Sequence, residues 1–335
     1  MERKIFLEVL ARVLASLLFL LFSWHVVGAA ELTKVQVQME WDPSPLHLGY
    51  IVAREKGFYT EEGLEVEFLP GRGSTLVASI VGANKAPLGF IDTSVLLSAR
   101  EKGLPLKAVA VSFRSNPTAL VFLKKSGIKE PKDLKGKSIL SDFKSYRHNH
   151  LLAFLSRVGL SPHEITIQDF SGGTGGRIQM LLSEKVDSTT IVLFDAFTKD
   201  GLVKDHEGIG YFLFRDYGIE SISRTIVANE KFVKTSPETV RKFVRASAKG
   251  WEYAIKHPEE SIQALVKFAP DLKEDMMRAG WVAAIPFIKG KETQKQSWGY
   301  ASLQDWEETQ RVFVETGLLT GKTPVKDAFM NEFLR

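Results

Sequence analysis

Along "KVQVQMEW" (Lys34–Trp41) apolar and polar residues alternate, with Val35, Val37, Met39 and Trp41 in one phase, which predicts a strand. "LGYIVAREKG" then repeats at helical spacing and stops at Gly57, and "EVEFL" returns to strand alternation. "STLVASIVGA" predicts a helix capped by Ser74 or Thr75. "LGFID" reads as a strand, "TSVLLSAREKG" as a helix and "LKAVAVSF" as a strand. This βαβαβαβ order predicts a mostly parallel sheet.

The alternation then recurs. "KSIL" predicts a strand, "YRHNHLLAFLSRVG" a helix closed by Gly159, and "SPHE" a capping box with proline at the first helical position. "TIQDF" reads as a strand, "TGGRIQMLLSEK" as a helix and "STTIVLF" as a strand. Two α/β units therefore follow one another, about 32–117 and 120–222, without sequence identity between them. After the strand-like crossing "RTIVAN" the chain reads as helical to its end, through "TSPETVRKFVRASAKGWEYAIKH", "PEESIQALVKFA", "DWEETQRVFVETG" and the tail "PVKDAFMNEFLR". A helical tail without a sheet must return to an existing lobe. The expected organisation is a discontinuous first lobe (31–117 with 225–335) and a second lobe (118–224). Two crossings, near Phe113–Leu120 and Arg224–Asn229, would form a hinge beside a cleft. Ligands of such sheets bind outside the carboxyl ends of the strands.

The N-terminus departs from this pattern. Arg3, Lys4 and Arg12 precede an apolar run of 15 residues, Val13–Val27, and small residues follow in "GAAE". This is the layout of a signal peptide over residues 1–30, and the run is short for a membrane-spanning helix. The chain of 335 residues carries +4, and removing that leader leaves +3. Lysines and arginines interleave with glutamates and form no basic stripe, which argues against nucleic acid. There is no cysteine, so disulfides, thiolate metal sites, a Cys nucleophile and a lipid-bearing Cys are all excluded. A soluble periplasmic monomer is expected.

Candidate chemistry gathers at strand ends. Trp41, on a loop stiffened by Pro43 and Pro45, offers a flat face for a planar ligand or fills the core. His47 donates to a ligand or caps the next helix. The openings "GRGST" (Gly71–Thr75, with Ser74) and "SGGTGGR" (Ser171–Arg177, with Thr174) present helix N-termini that favour an anion, or serve as plain turns. Asp92, Thr93 and Ser94 suit a ligand amine or hydroxyl, or ordinary capping, and Asp195 ends a second-lobe strand in the same way. Phe113 and Tyr146 would add aromatic walls, and Asn116 lies on the first crossing. No nucleophile elbow or HExxH motif occurs, and His148 and His150 fall on different helix faces. No catalytic residue, cofactor or metal is expected.

"WDPSPLHLGYIVAREKGFYTEEGLEVEFL", "LLSAREKGLPLKAVA", "SGIKEPKDLKGKSI", "SEKVD" and "DAFMNEFLR" resemble the substrate-binding proteins of ABC importers, in the group covering thiamine pyrimidine precursors, nitrate, sulfonates and taurine. The resemblance spans nearly the whole mature chain and lies nearest the pyrimidine-precursor branch. It implies a type II periplasmic-binding fold that closes on a small molecule and docks on a permease in the inner membrane. The superfamily includes a fungal synthase that consumes its own histidine, with a lysine-held pyridoxal phosphate and a cysteine-rich iron motif. Aligned with it, the lysine falls on Ile91 and the histidine on Val95, and the cysteine motif has no counterpart. Two departures from the binders are Pro87, where an acid is common, and the lack of a second-lobe glutamate in register, Asp195 being the nearest acid.

Overall fold

The computed structural model describes residues 31–143, 145–195, 208–289 and 297–334. The expected leader, 1–30, lies outside them. In chain order the first elements are β1 (Thr33–Gln38), α1 (Leu48–Glu55), α2 (Phe58–Glu61), β2 (Leu64–Leu69), α3 (Ser74–Gly82), β3 (Leu88–Asp92), α4 (Thr93–Glu101) and β4 (Leu106–Phe113). Then come β5 (Thr118–Leu123), β6 (Ser138–Ser141), α5 (Tyr146–Arg157), β7 (Thr166–Asp169), α6 (Thr174–Leu182), β8 (Ser188–Val192) and β9 (Ile209–Leu213). The chain continues through β10 (Arg224–Asn229), α7 (Glu230–Thr235), α8 (Pro237–Lys256), α9 (Pro258–Phe268), α10 (Glu274–Lys289) and α11 (Leu303–Glu315).

The strands form two five-stranded sheets, ordered β2-β1-β3-β10-β4 and β7-β6-β8-β5-β9. β1 pairs in parallel with β2 and β3, and β6 with β7 and β8. Neither sheet is purely parallel: β10 runs antiparallel between β3 and β4, and β5 runs antiparallel to β8 and β9. The crossing "RTIVAN" is thus a fully buried strand within the first sheet. Its ladder with β4 is irregular. Ala228 faces Lys107 but Arg224 faces Phe113, so β4 holds two extra residues over that stretch. Such bulges re-aim side chains, here along the first half of β10, where the chain enters the first sheet.

The long helix α8 repeats its apolar positions at helical spacing and buries Val240, Phe243, Val244, Ser247, Trp251 and Ala254. It lies so close to α1 that a Cβ on Gly250 would stand 2.1 Å from the Gly49 carbonyl oxygen. The tail differs from its helical expectation. It makes two short 3₁₀ turns, Val325–Asp327 and Glu332–Leu334, because Met330 N–H donates to the Ala108 carbonyl and Phe329 bridges Ala108 at the sheet margin. α11 reaches the second sheet's helix α5: Phe313 stacks on His150 with centroids 5.5 Å apart, and Arg157 pairs with Glu315. No helix among the described residues is long and apolar enough to cross a membrane.

Candidate functional site

The segment after β1 folds back on itself. Ser44 caps a 3₁₀ turn, Pro45–His47, which leads directly into α1. The turn buries His47, whose Nε2 lies 3.1 Å from Glu40 Oε2, while Nδ1 is 3.4 Å from Ser44 Oγ. His47 thus makes no side-chain cap for α1; it holds Glu40. Trp41 stands out at 43% exposure. The glycines of "GRGST" explain its position. Gly73, at φ +104°, gives its N–H to the Glu40 carbonyl at 2.6 Å and leaves room for the Trp41 ring, which would be 3.7 Å from a Cβ there. Gly71 passes so close to the first strand's end that a Cβ would lie 1.6 Å from the Met39 carbonyl oxygen. Gly71→Ala should therefore push this loop off Met39 and cost about 1–3 kcal/mol, the usual range for overpacking; a urea titration against wild type measures it.

Beside this loop, Asp92 closes β3 and caps α4. Its Oδ1 accepts from Ser94 N–H at 2.9 Å and from Ser94 Oγ at 2.5 Å. Its other oxygen, Oδ2, faces Arg224 Nη1 at 3.4 Å. Arg224 is buried at the start of β10. Its Nε lies 3.8 Å from Glu40 Oε1, and its Nη2 donates to the Tyr146 hydroxyl at 3.3 Å. Tyr146 opens α5 on the second sheet, and its ring lies 5.5 Å beneath the guanidinium. Arg224 therefore sits among two acids of the first sheet and a phenol of the second, with Asp195 adding a further negative charge.

Burial raises the Asp92 carboxyl above the usual range even though Arg224 and Ser94 pull it down. Burial acts on Glu40 too, but His47 and Arg224 outweigh it and hold that carboxyl low. The guanidinium is buried as well; Tyr146, Asp92, Glu40 and Asp195 more than offset that and keep it charged. Its contacts run from 3.3 to 3.8 Å, longer than a tight charge-assisted bond, and Nε has no hydrogen-bond partner among the described residues. The hydroxyls of Thr93 and Ser223 are also buried, with no partner among the described residues. The cluster thus holds polar valence that its own members leave unused.

The remaining candidates take varied positions. Ser74 is buried and its Oγ accepts from Asp92 N–H at 3.0 Å, tying α3 to the end of β3. Phe113 is fully buried, edge-on to Trp251 and tilted against Phe194; it backs the junction and forms no wall. Asn116 is buried in a hinge network. Its Oδ1 accepts from Thr118 N–H at 2.8 Å, and its Nδ2 lies 3.2 Å from both His150 Nδ1 and Ser221 Oγ. Thr174 begins α6, half-buried. Arg177 is turned inward: it donates to the Phe170 and Thr190 carbonyls and pairs with Asp142 at 3.7 Å, so that turn presents no free arginine to an anion. Asp195 lies three residues beyond the end of β8, half-buried. Glu40 and Arg224 escaped sequence reasoning, although each is a charge at the margin of a run that buries. Among the described residues no group of His, Asp and Glu is arranged to hold a metal ion.

The fold of this chain is shared by solved structures. The periplasmic aliphatic sulphonate binding protein of Escherichia coli superposes with a TM-score of 0.71 at 14% identity, over 89% of this chain and 92% of that one. The alkanesulfonate-binding protein of Xanthomonas axonopodis pv. citri, bound to MOPS, gives 0.69 at 15% identity, over 90% and 99%. The fold is that of the periplasmic binding proteins. In sequence, a Haemophilus influenzae protein named for thiamine biosynthesis is 29% identical over 276 residues, 82% of this chain and 86% of its own length. The formylaminopyrimidine-binding protein of Halalkalibacterium halodurans is 25% identical over 83% of each chain. A 4-amino-5-hydroxymethyl-2-methylpyrimidine phosphate synthase of Saccharomyces cerevisiae is also 25% identical, over 72% of this chain and 73% of the synthase. The NMT1/THI5-like family model matches residues 44–261, about two thirds of the chain, and the protein is a member of that family.

Proposed function

We propose that this chain is the extracytoplasmic substrate-binding protein of an ABC importer. It captures a small planar, amine-bearing heterocycle of the thiamine-pyrimidine type and hands it unchanged to a membrane permease. The observation that carries this reading is the Arg224 cluster, in which acids of one sheet and the Tyr146 hydroxyl of the other surround a single guanidinium whose bonds are long. Asp92, with its raised carboxyl, can donate to a ring nitrogen or accept from an exocyclic amine, and Trp41 supplies the exposed flat face. A ligand touching both sheets would bind a closed arrangement better than an open one and shift the population toward it. The names of the thiamine and formylaminopyrimidine relatives agree with such a ligand.

A small anion is the second reading, favoured by the likeness to sulfonate binders. Glu40, Asp92 and Asp195 around Arg224 weigh against it, as does the inward turn of Arg177. Synthase chemistry is weighed down by the residues themselves: Ile91, where the synthase lysine aligns, is buried in β3, Val95 stands at the histidine position, and no cysteine exists.

Trp41→Ala tests the site. Loss of a stacking partner costs on the order of 1 kcal/mol beyond the lost burial, so 4-amino-5-hydroxymethyl-2-methylpyrimidine should bind severalfold more weakly by calorimetry, with the urea midpoint little changed. Unchanged affinity would remove Trp41 from the site, and an altered mass of the recovered compound would make the protein an enzyme.

A further inference from the structure

Tyr146 lies against two cations, and only one of them is answered by acids. The Arg224 guanidinium stands 5.5 Å from the centre of its ring and is surrounded by Asp92, Glu40 and Asp195. The Arg147 guanidinium also stands 5.5 Å from that ring, yet no acid pairs with it among the described residues. Its Nε is buried and has no hydrogen-bond partner among them. Acids at the same edge of the second sheet have other partners: Asp142 pairs with Arg177, and Asp169 accepts from Phe143 N–H. A half-buried guanidinium without a counter-ion is costly unless another group meets its donors.

The position of Arg147 points to that group. It is the second residue of α5, at the helix end where Tyr146 touches the Arg224 cluster. Its charge acts on both sheets. On the first, burial raises the Asp92 carboxyl, and Arg147 is one of the cations that draw it back. On the second, burial and then Arg147 lower Arg177. We propose that Arg147 is a specificity-determining residue, which reads an acceptor oxygen carried by the ligand's ring on the edge away from its amine. The inference rests on the ring-binding reading above and deepens it. The ligand donates toward Asp92 on the first sheet and accepts from Arg147 on the second, and a ring that carries a cation at the accepting edge is turned away.

The test uses three pyrimidines that differ at one substituent: 4-amino-2,5-dimethylpyrimidine, its 5-hydroxymethyl counterpart and its 5-aminomethyl counterpart, the last a cation at neutral pH. Each is titrated calorimetrically into wild type, Arg147→Met and Arg147→Lys. A hydrogen bond from a charged donor corresponds to about tenfold or more in affinity. Wild type should therefore bind the hydroxymethyl ring about tenfold more tightly than the methyl ring, and the aminomethyl ring most weakly. Arg147→Met should bind the methyl and hydroxymethyl rings alike and discriminate less against the aminomethyl ring. Arg147→Lys should restore part of the preference. A residue that only supports the helix would weaken all three rings equally and keep their ratios. Equal binding of the methyl and hydroxymethyl rings by wild type overturns the role of Arg147 and leaves the ring reading intact. So does a tenfold preference that survives in Arg147→Met. If none of the three rings binds, the ring reading fails and the assignment to Arg147 fails with it.

Discussion

Arg224→Met should cost about 3–5 kcal/mol of folding stability, the range for removing one partner of a buried ionic group. The side chain lies between Glu40 and Asp92, all three nearly inaccessible to water. Without the guanidinium, Asp92 is left with its capping bonds to Ser94, and Glu40 with His47, as side-chain partners among the described residues. Methionine replaces the volume but leaves two acids in a medium that disfavours their charge. The triple variant Arg224→Met with Glu40→Gln and Asp92→Asn removes those charges and should recover much of the loss. Urea titrations of wild type, single and triple variants decide it. A single-variant loss below about 1 kcal/mol would mean that water screens the cluster as it screens a surface pair.

The second large effect is in pH. His150 is buried between Asn116, Tyr146 and the Phe313 ring, and burial, aided by Arg147, pushes its pKa down to about 3. In the unfolded chain a histidine titrates near 6.5. Between those values the unfolded state binds a proton that the native state refuses, so stability falls as pH falls, by about 1.4 kcal/mol per pH unit for this one group. From pH 6.5 to 4.5 that amounts to about 3 kcal/mol. Asp92 acts with the opposite sign, since its raised carboxyl lets the native state take up a proton more readily as pH falls. His150→Gln keeps a hydrogen-bonding side chain and removes the titration. Its stability should drop less than wild type's between pH 7 and 4.5, by about that amount. Equal drops in the two proteins would show that His150 is protonated in the folded state.

Residues that act locally were legible. The alternation through Val35 and Val37, the helix ending before Gly57, the capping box at Ser161 and the Asp92 cap all form where their spacing placed them. What failed to show depends on partners distant in sequence. "RTIVAN" carries the signature of a strand but not of its antiparallel insertion between β3 and β4. The two extra residues of β4, which set Phe113 opposite Arg224, leave no trace in a run where every position but Lys107 buries. Arg177 looked available because it follows four glycines in a helix opening; Asp142 and the Phe170 carbonyl, from other elements, draw it inward. Glu40 falls next to Trp41 and was overshadowed by it. Only the folded chain shows that His47, seven residues on, and Arg224, far along, converge on its two oxygens.

The central claim is that this cleft captures a planar, amine-bearing ring in preference to a small anion. Paired calorimetric titrations test it most directly: 4-amino-5-hydroxymethyl-2-methylpyrimidine and an alkanesulfonate, each into wild type and into Asp92→Asn, with the compounds recovered afterwards for mass analysis. The account predicts saturable binding of the pyrimidine, weakened by Asp92→Asn, no measurable heat from the sulfonate, and recovery of the ring unchanged. Saturable binding of the sulfonate with none of the pyrimidine would contradict it.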